Sequence, residues 1–332
     1  MEEPIGIVVA DPIVLQLEYH KVLESLGELK VYNTWPLSDG EFIERIKNAS
    51  IVIIGRYGFP AQAFESAGNL RMLAVWQTGY DHVDLDAATK QGVVVSNVPG
   101  YAFDAVAEFV FAQTLNLLRR LHEADRSLRE GEFEWRDYIC GAYKGNQLLG
   151  KTIGVIGTGN IGRRVIEIAH GFKMEVLAYT AHPDPEKEKK LGVRFTDMDE
   201  LLTRSDIVTL HVPLTPSTER MIGAEELLKM KPTAILINTA RGEVIDEAAL
   251  LSALRSGHIA AAGLDVFEDE PLPPNSPLLG SGKVLLTPHI AFLSEESLDE
   301  CTSVTIDNIR LFLQGSPQNV VNPDVLEKDQ LS

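Results

Sequence analysis

Three short segments late in the chain place reactive side chains just past the ends of apolar runs. In Ile237-Asn-Thr-Ala-Arg241-Gly242, Arg241 follows a strand-like run and precedes a glycine. Its planar guanidinium suits a two-pronged grip on a carboxylate, and equally a surface pairing with Glu243 or Asp246. In Gly263-Leu-Asp265-Val-Phe-Glu268-Asp269-Glu270-Pro271, four acids fall within six residues. Acid-rich stretches are ordinarily solvated loops, the reading given to Glu268 and Asp269. Asp265, where the strand ends, and Glu270, whose backbone the following proline restricts, are the stronger candidates. The third segment is Leu286-Thr-Pro288-His289-Ile290. Of eight histidines, His182 and His258 have loop-like settings and His211 ends a strand, whereas His289 follows a strand-ending proline. A carboxylate partner would fix its tautomer and make it an acid–base catalyst. Ligands of open α/β sheets bind outside the carboxyl ends of the strands, so these groups share the edge where chemistry is expected.

A second feature says what such a site would work with. Lys151-Thr-Ile-Gly-Val-Ile-Gly157-Thr-Gly159-Asn-Ile-Gly162 runs from an apolar strand into a glycine-rich turn, and a helical pattern carrying Val165, Ile166, Ile168 and Ala169 follows. Gly157 permits the tight turn, Gly159 lets backbone approach a pyrophosphate, and Gly162 lets helix pack on strand. The helix N-terminus adds free N–H groups and a positive dipole end. The spacing alone is weak evidence; with a strand before it and a helix after, it predicts dinucleotide binding.

These groups need elements to hold them. The runs 5–10, 29–32, 51–54, 72–76 and 93–95 are short and rich in β-branched residues, with amphipathic stretches between them, among them 14–26 and 41–47. A helical stretch over 105–128 separates this unit from the glycine motif. The alternation then resumes with strands at 153–156, 175–179, 207–210, 234–238, 261–264 and 284–287. The pattern is α/β throughout, two doubly wound parallel-sheet units. The charged run 184–190 reads as a solvated helix face. A final helix over 294–313 belongs to neither unit on pattern alone.

Composition bounds the rest. A chain of 332 residues has room for two domains, and 45% hydrophobic with 23% charged residues is ordinary for a globular protein. A formal charge of −18 argues against nucleic acid or an anionic membrane as partner. The two cysteines, Cys140 and Cys301, form no metal-ligand pattern and suit a reducing cytoplasm. No secretory signal or membrane span is expected.

Taken together, the motifs resemble the D-isomer-specific 2-hydroxyacid dehydrogenase family over nearly the whole chain. The match runs through Gly79-Tyr-Asp-His-Val-Asp84, Asn97-Val-Pro-Gly100 with Val106-Ala-Glu108, Gly150-Lys-Thr-Ile-Gly-Val-Ile-Gly157, 206–213, 238–242, 263–271 and Thr287-Pro-His289. The resemblance implies a Rossmann cofactor domain, 100–291, inserted into a flavodoxin-like substrate domain, 1–99 with 292–332, and an active site in a closing cleft. It implies that His289 is the acid–base, that Glu270 bonds it, and that Arg241 binds the substrate carboxylate. Thr78 and Gly79 complete that carboxylate site through backbone N–H groups. Gly157, Thr158, Gly159, Asn160, Ile161, Gly162, Thr180, His182, His211, Thr239 and Asp265 would contact the cofactor, Asp265 at the nicotinamide carboxamide. The reaction would be reversible hydride transfer between NAD(P)H and a 2-oxo acid, without a metal, in a homodimer joined through the cofactor domains.

The sequence departs from the family's NAD-specific members in one turn. Those place an acid after the second strand of the cofactor domain, on the ribose 2′-hydroxyl. Here Tyr179 is followed by Thr180-Ala181-His182-Pro183, with no acid before Asp184. This resembles NADP-using members, although those usually carry arginine here; NADP is therefore expected, with NAD tolerated. Trp135, in the corresponding dimerisation segment, reads either as an interface anchor or as a group reaching the partner's site. Arg56, Tyr57, Trp76, Gln77, Phe292 and Leu293 flank the inferred site. Glyoxylate or hydroxypyruvate is favoured over lactate-type or bulkier 2-oxo acids. Glu270 argues against formate dehydrogenase relatives, which carry glutamine, and Thr78 against phosphite-oxidising ones, which carry lysine. A dinucleotide-sensing corepressor shares the fold and much of the triad; the short tail beyond Pro323 favours the plain enzyme.

Overall fold

A computed structural model describes residues 5–132, 134–141 and 143–328. The chain divides into two compact units, Met1–Ala102 with Ser294–Ser332, and Phe103–Leu293; the sequence reading set the breaks at 99/100 and 291/292.

The first unit holds a five-stranded parallel sheet of order β2-β1-β3-β4-β5. Its strands are β1 (Gly6–Val9), β2 (Glu28–Val31), β3 (Ile51–Ile54), β4 (Met72–Val75) and β5 (Val94–Ser96). Successive strand side chains face opposite ways, and β3 shows the consequence of burial on both faces. Ile51 and Ile53 pack with Ile7, Val9 and Met72, whereas Val52 and Ile54 pack with Phe42, Phe59 and Phe64. The C-terminal helix Glu295–Leu313 lies on the first of these faces, through Cys301, Ile306 and Ile309. It is tied there by Trp76 Nε1 donating to Thr302 Oγ1 at 3.0 Å and Asn308 Nδ2 donating to Asn97 O at 2.9 Å.

The second unit holds a seven-stranded parallel sheet, β12-β11-β10-β9-β6-β7-β8. The strands are β6 (Thr152–Ile156), β7 (Glu175–Tyr179), β8 (Arg194–Phe195), β9 (Ile207–Leu210), β10 (Ile235–Asn238), β11 (Ala261–Leu264) and β12 (Val284–Leu286). The chain builds outward from β6 through β7 to β8, then returns to the other side of β6 with β9. That reversal is where open α/β sheets bind ligands, and the glycine loop leaves β6 at that point. The two-residue β8, which pairs with β7, is too short to show in a hydrophobic pattern. The expected helix over 105–128 is two helices, Phe103–Arg119 and Leu121–Arg129. Arg120 between them is left-handed, with φ 52°, and Asn116 Oδ1 accepts the His122 N–H at the start of the second. No helix among the described residues is long and apolar enough to cross a membrane.

Candidate active site

The parallel strands of the second unit end along one edge, where the loops after β6, β9, β10, β11 and β12 gather. Gly157 leaves β6 at φ 96°, and a Cβ there would lie 2.3 Å from His211 O, so only glycine fits. His211 follows β9; its N–H donates to Ile156 O at 2.7 Å and its Nε2 lies 3.0 Å from Thr209 Oγ1. Burial pushes its imidazole down to about 3, which keeps it neutral. A Cβ on Gly162 would meet Gly157 O, which enforces the close helix–strand approach. Asn160 and Ile161 open helix Asn160–Gly171, whose N-cap, Gly159, has no side-chain bond.

Two observations test whether this cradle suits a dinucleotide. A Cβ on Gly159 would meet no protein atom within 4 Å, so the protein leaves open space beside the helix N-terminus. The Thr158 and Thr239 hydroxyls are buried without a hydrogen-bond partner. Buried hydroxyls are normally satisfied, and a ribose or phosphate group entering here would supply the missing partners. The residues fit the group.

Past β10, Asn238 Nδ2 donates to Arg241 O at 2.7 Å, and Asn238 Oδ1 accepts the Ala240 N–H at 3.0 Å. This folds the turn that presents Arg241, whose Nη1 reaches Ala240 O at 2.8 Å. The glycine after it is obligatory, since a Cβ on Gly242 would overlap the Phe267 carbonyl carbon at 1.9 Å. The turn after β10 thus crosses in contact with the segment after β11.

Glu270 and His289 meet. His289 Nδ1 lies 2.8 Å from Glu270 Oε2 and 3.1 Å from Oε1, and Oε1 also accepts the Phe267 N–H at 3.1 Å. His289 itself is left-handed at φ 54°, a conformation costing a non-glycine residue about 1–2 kcal/mol. Its N–H donates to Asp265 O at 2.8 Å and to Thr287 O at 3.0 Å, bonds that hold it there.

Asp265 is fully buried. Its Oδ1 accepts from Thr287 Oγ1 at 2.6 Å and from the Ile290 N–H at 3.0 Å, and its Oδ2 from the Ala291 N–H at 2.8 Å. The carboxylate expected at a carboxamide therefore also ties down the loop that carries His289. Burial pushes its pKa up, against the pull of those bonds and of His289. The Thr287 hydroxyl in turn accepts from Gln113 Nε2 at 3.0 Å. Gln113 was not read from the sequence; its only signal was a polar residue on the buried face of an apolar helix. Thr180 and His182 follow β7. His182 is exposed, and its N–H makes a long 3.5 Å contact with Thr180 Oγ1. Glu268, read as solvated, instead exchanges bonds with Glu247.

In the first unit, Thr78 and Gly79 lie beyond β4. Asn97 Nδ2 donates to Thr78 O at 2.7 Å, Gln77 Nε2 to Gly79 O at 3.0 Å, and Thr78 Oγ1 to Val98 O at 2.7 Å. Their carbonyls are engaged, while neither N–H has a partner among the described residues.

Comparison with known proteins agrees with this architecture. Residues 111–291 match the model of the D-isomer specific 2-hydroxyacid dehydrogenase NAD binding domain. The glyoxylate reductase of Korarchaeum cryptofilum is 42% identical over 88% of either chain. The hydroxypyruvate reductase of Blautia hydrogenotrophica is 40% identical over 91% of this chain and 94% of that one. The structure of D-lactate dehydrogenase from Aquifex aeolicus, complexed with NAD and lactic acid, superposes with a TM-score of 0.83. It is 31% identical and covers 96% of this chain and 99% of its own.

Proposed function

The chain belongs to the D-isomer specific 2-hydroxyacid dehydrogenases, oxidoreductases that use a nicotinamide cofactor, and from that membership we propose that it reduces glyoxylate or hydroxypyruvate, reversibly, preferring NADPH to NADH. The observation that carries the chemistry is the 2.8 Å bond from His289 to Glu270. With Nδ1–H committed to the carboxylate, Nε2 is the nitrogen left to exchange a proton. In reduction Nε2 donates its proton to the C2 oxygen, and in oxidation it takes that proton back. Glu270 holds the ring in this tautomer and stabilises it when charged.

Arg241 offers the substrate carboxylate its fork, and in the first unit the undonated N–H groups of Thr78 and Gly79 are suited to a carboxylate. The 157–162 loop receives the pyrophosphate. The Thr158, Thr239 and His211 side chains would line the cradle, with Asp265 on the carboxamide side and Thr180 and His182 on the ribose side. The bound nicotinamide supplies or accepts the hydride.

The exposed apolar side chains Leu121 and Leu128, seven residues apart on one helix, and Trp135 and Ile139, four apart on the next, support a homodimer through this segment. Cys140 is exposed and Cys301 buried, both as free thiols, in keeping with a cytoplasmic setting.

The test is kcat/KM for glyoxylate, hydroxypyruvate, pyruvate and phenylpyruvate with each cofactor. Glyoxylate or hydroxypyruvate should lead, with NADPH ahead of NADH. A tenfold preference for pyruvate or phenylpyruvate would overturn the substrate reading, and a tenfold preference for NADH the cofactor reading.

A further inference from the structure

The second unit carries a concavity of about 360 Å³ lined by Arg163, Asp184, Glu186, Lys187, Lys190 and Leu191. Its place follows from the elements that form it. Arg163 succeeds Gly162 in the first turn of helix Asn160–Gly171, where its N–H donates to Gly159 O at 2.9 Å. Asp184 comes two residues after His182 and caps helix Pro185–Leu191 by accepting the Glu186 N–H at 2.9 Å. The concavity thus adjoins both the glycine loop and the turn after β7, which flank the adenosine ribose in a dinucleotide-binding βαβ unit.

The charges there are unbalanced and unspent. Three cations face two acids, and Arg163, Lys187 and Lys190 make no salt bridge among the described residues. The neighbouring Arg164 shows the contrast: it pairs with Asp104 at 2.6 Å and with Glu167 at 2.8 Å. Burial and the nearby Arg163 charge both hold the Lys187 ammonium below the ordinary lysine range, against the pull of Asp184. Like charges gathered around an open volume are relieved by an anion, and a planar guanidinium beside an ammonium suits a phosphate dianion.

We infer that Arg163 and Lys187, with Lys190, bind the 2′-phosphate of NADPH. The inference rests on the NADPH reading above and supplies the cations that the Thr180-Ala181-His182 turn lacks. They come from the helices on either side of the turn instead of from the turn itself. Asp184 and Glu186 keep the cluster's net charge low, so it recognises one phosphate without becoming a general polyanion site.

The test is calorimetric titration of 2′,5′-ADP and 5′-AMP, which differ only in the 2′-phosphate, into the wild type and into the double variant Arg163→Ala, Lys187→Ala. The wild type should bind 2′,5′-ADP at least tenfold tighter than 5′-AMP. In the double variant the ratio should fall towards one with 5′-AMP affinity unchanged, which also verifies the fold. A high ratio that survives the double substitution would overturn this inference and leave the NADPH reading standing. A wild-type ratio near one would overturn both. Inorganic phosphate binding undiminished in enzyme saturated with NADPH would make the concavity a separate anion site, again against the inference.

Discussion

Two buried aspartates, one in each unit, do the same structural job with different consequences. Asp11, just past β1, accepts the N–H groups of Gly55 at 2.7 Å, Arg56 at 2.8 Å and Tyr57 at 3.0 Å, fixing the loop after the neighbouring strand β3. Asp265, just past β11, accepts from Thr287, Ile290 and Ala291, fixing the loop after the neighbouring strand β12. Both are fully buried, and burial pushes both pKa values up although several hydrogen bonds pull the other way. The loops differ in what they carry. The Asp11 loop presents Tyr57, stacked on Phe42 at 4.4 Å and bonded through its hydroxyl to Asp39, an arrangement other packing supports. The Asp265 loop carries His289 in a left-handed conformation that needs holding. One device therefore serves stability in the first unit and, on the proposed mechanism, the geometry of proton transfer in the second.

The comparison is sharpest where the held residue is removed. His289→Ala should lower kcat by about 10³-fold, within the range for loss of an acid–base group, while NADPH affinity by fluorescence titration stays unchanged. Near-normal kcat would end its assignment as the proton carrier. Asp265→Asn comes next. An amide turns donors towards positions where a carboxylate oxygen accepted, leaving the Ile290 or Ala291 N–H without its partner. The His289 loop then relaxes, and kcat should fall by about 10²-fold, as for misplacement of a catalytic group by about 1 Å. A kcat within twofold of wild type would show that Asp265 does not position His289.

Much of this was legible in the sequence because the constraints are local. Gly157 and Gly162 announce a strand–turn–helix whose close approaches involve atoms nearby in the chain or on adjacent strands. Strands such as β3 and β4 are buried on both faces and read as unbroken apolar runs. Arg241, Glu270 and His289 stand at strand ends, where residue type alone suggests chemistry. What stayed hidden depends on distant partners or on one residue's backbone. Gln113 reaches Thr287 across 174 positions, and nothing near either residue signals the bond. The glycine at 242 is demanded by Phe267 on another loop. The helix break at Arg120 rests on a left-handed residue that no periodicity encodes. Lys187 and Lys190 lie in a charged run that reads as a solvated face until Arg163 is found beside them.

The smallest expected effect lies in the first unit. Asp11→Asn creates the same mismatch, so it should cost about 1–3 kcal/mol of stability through a backbone N–H that loses its acceptor, with a smaller fall in kcat than Asp265→Asn gives. Its pH dependence identifies the dominant force. Burial raises the Asp11 pKa above the ordinary 3.8 despite its backbone hydrogen bonds. A carboxyl with a raised folded-state pKa contributes stability that is fully present below 3.8 and lost as pH rises through the folded value. Lowering pH from neutrality therefore stabilises the wild type at this site, and the asparagine variant, which does not titrate there, gains nothing. Asp265 shifts in the same direction in both proteins and cancels in the difference. Thermal unfolding of the pair should show a gap that widens as pH falls. A gap that narrows would mean the backbone N–H groups outweigh burial, so that the first unit's aspartate is held as a stabilised anion and the likeness to Asp265 ends at geometry.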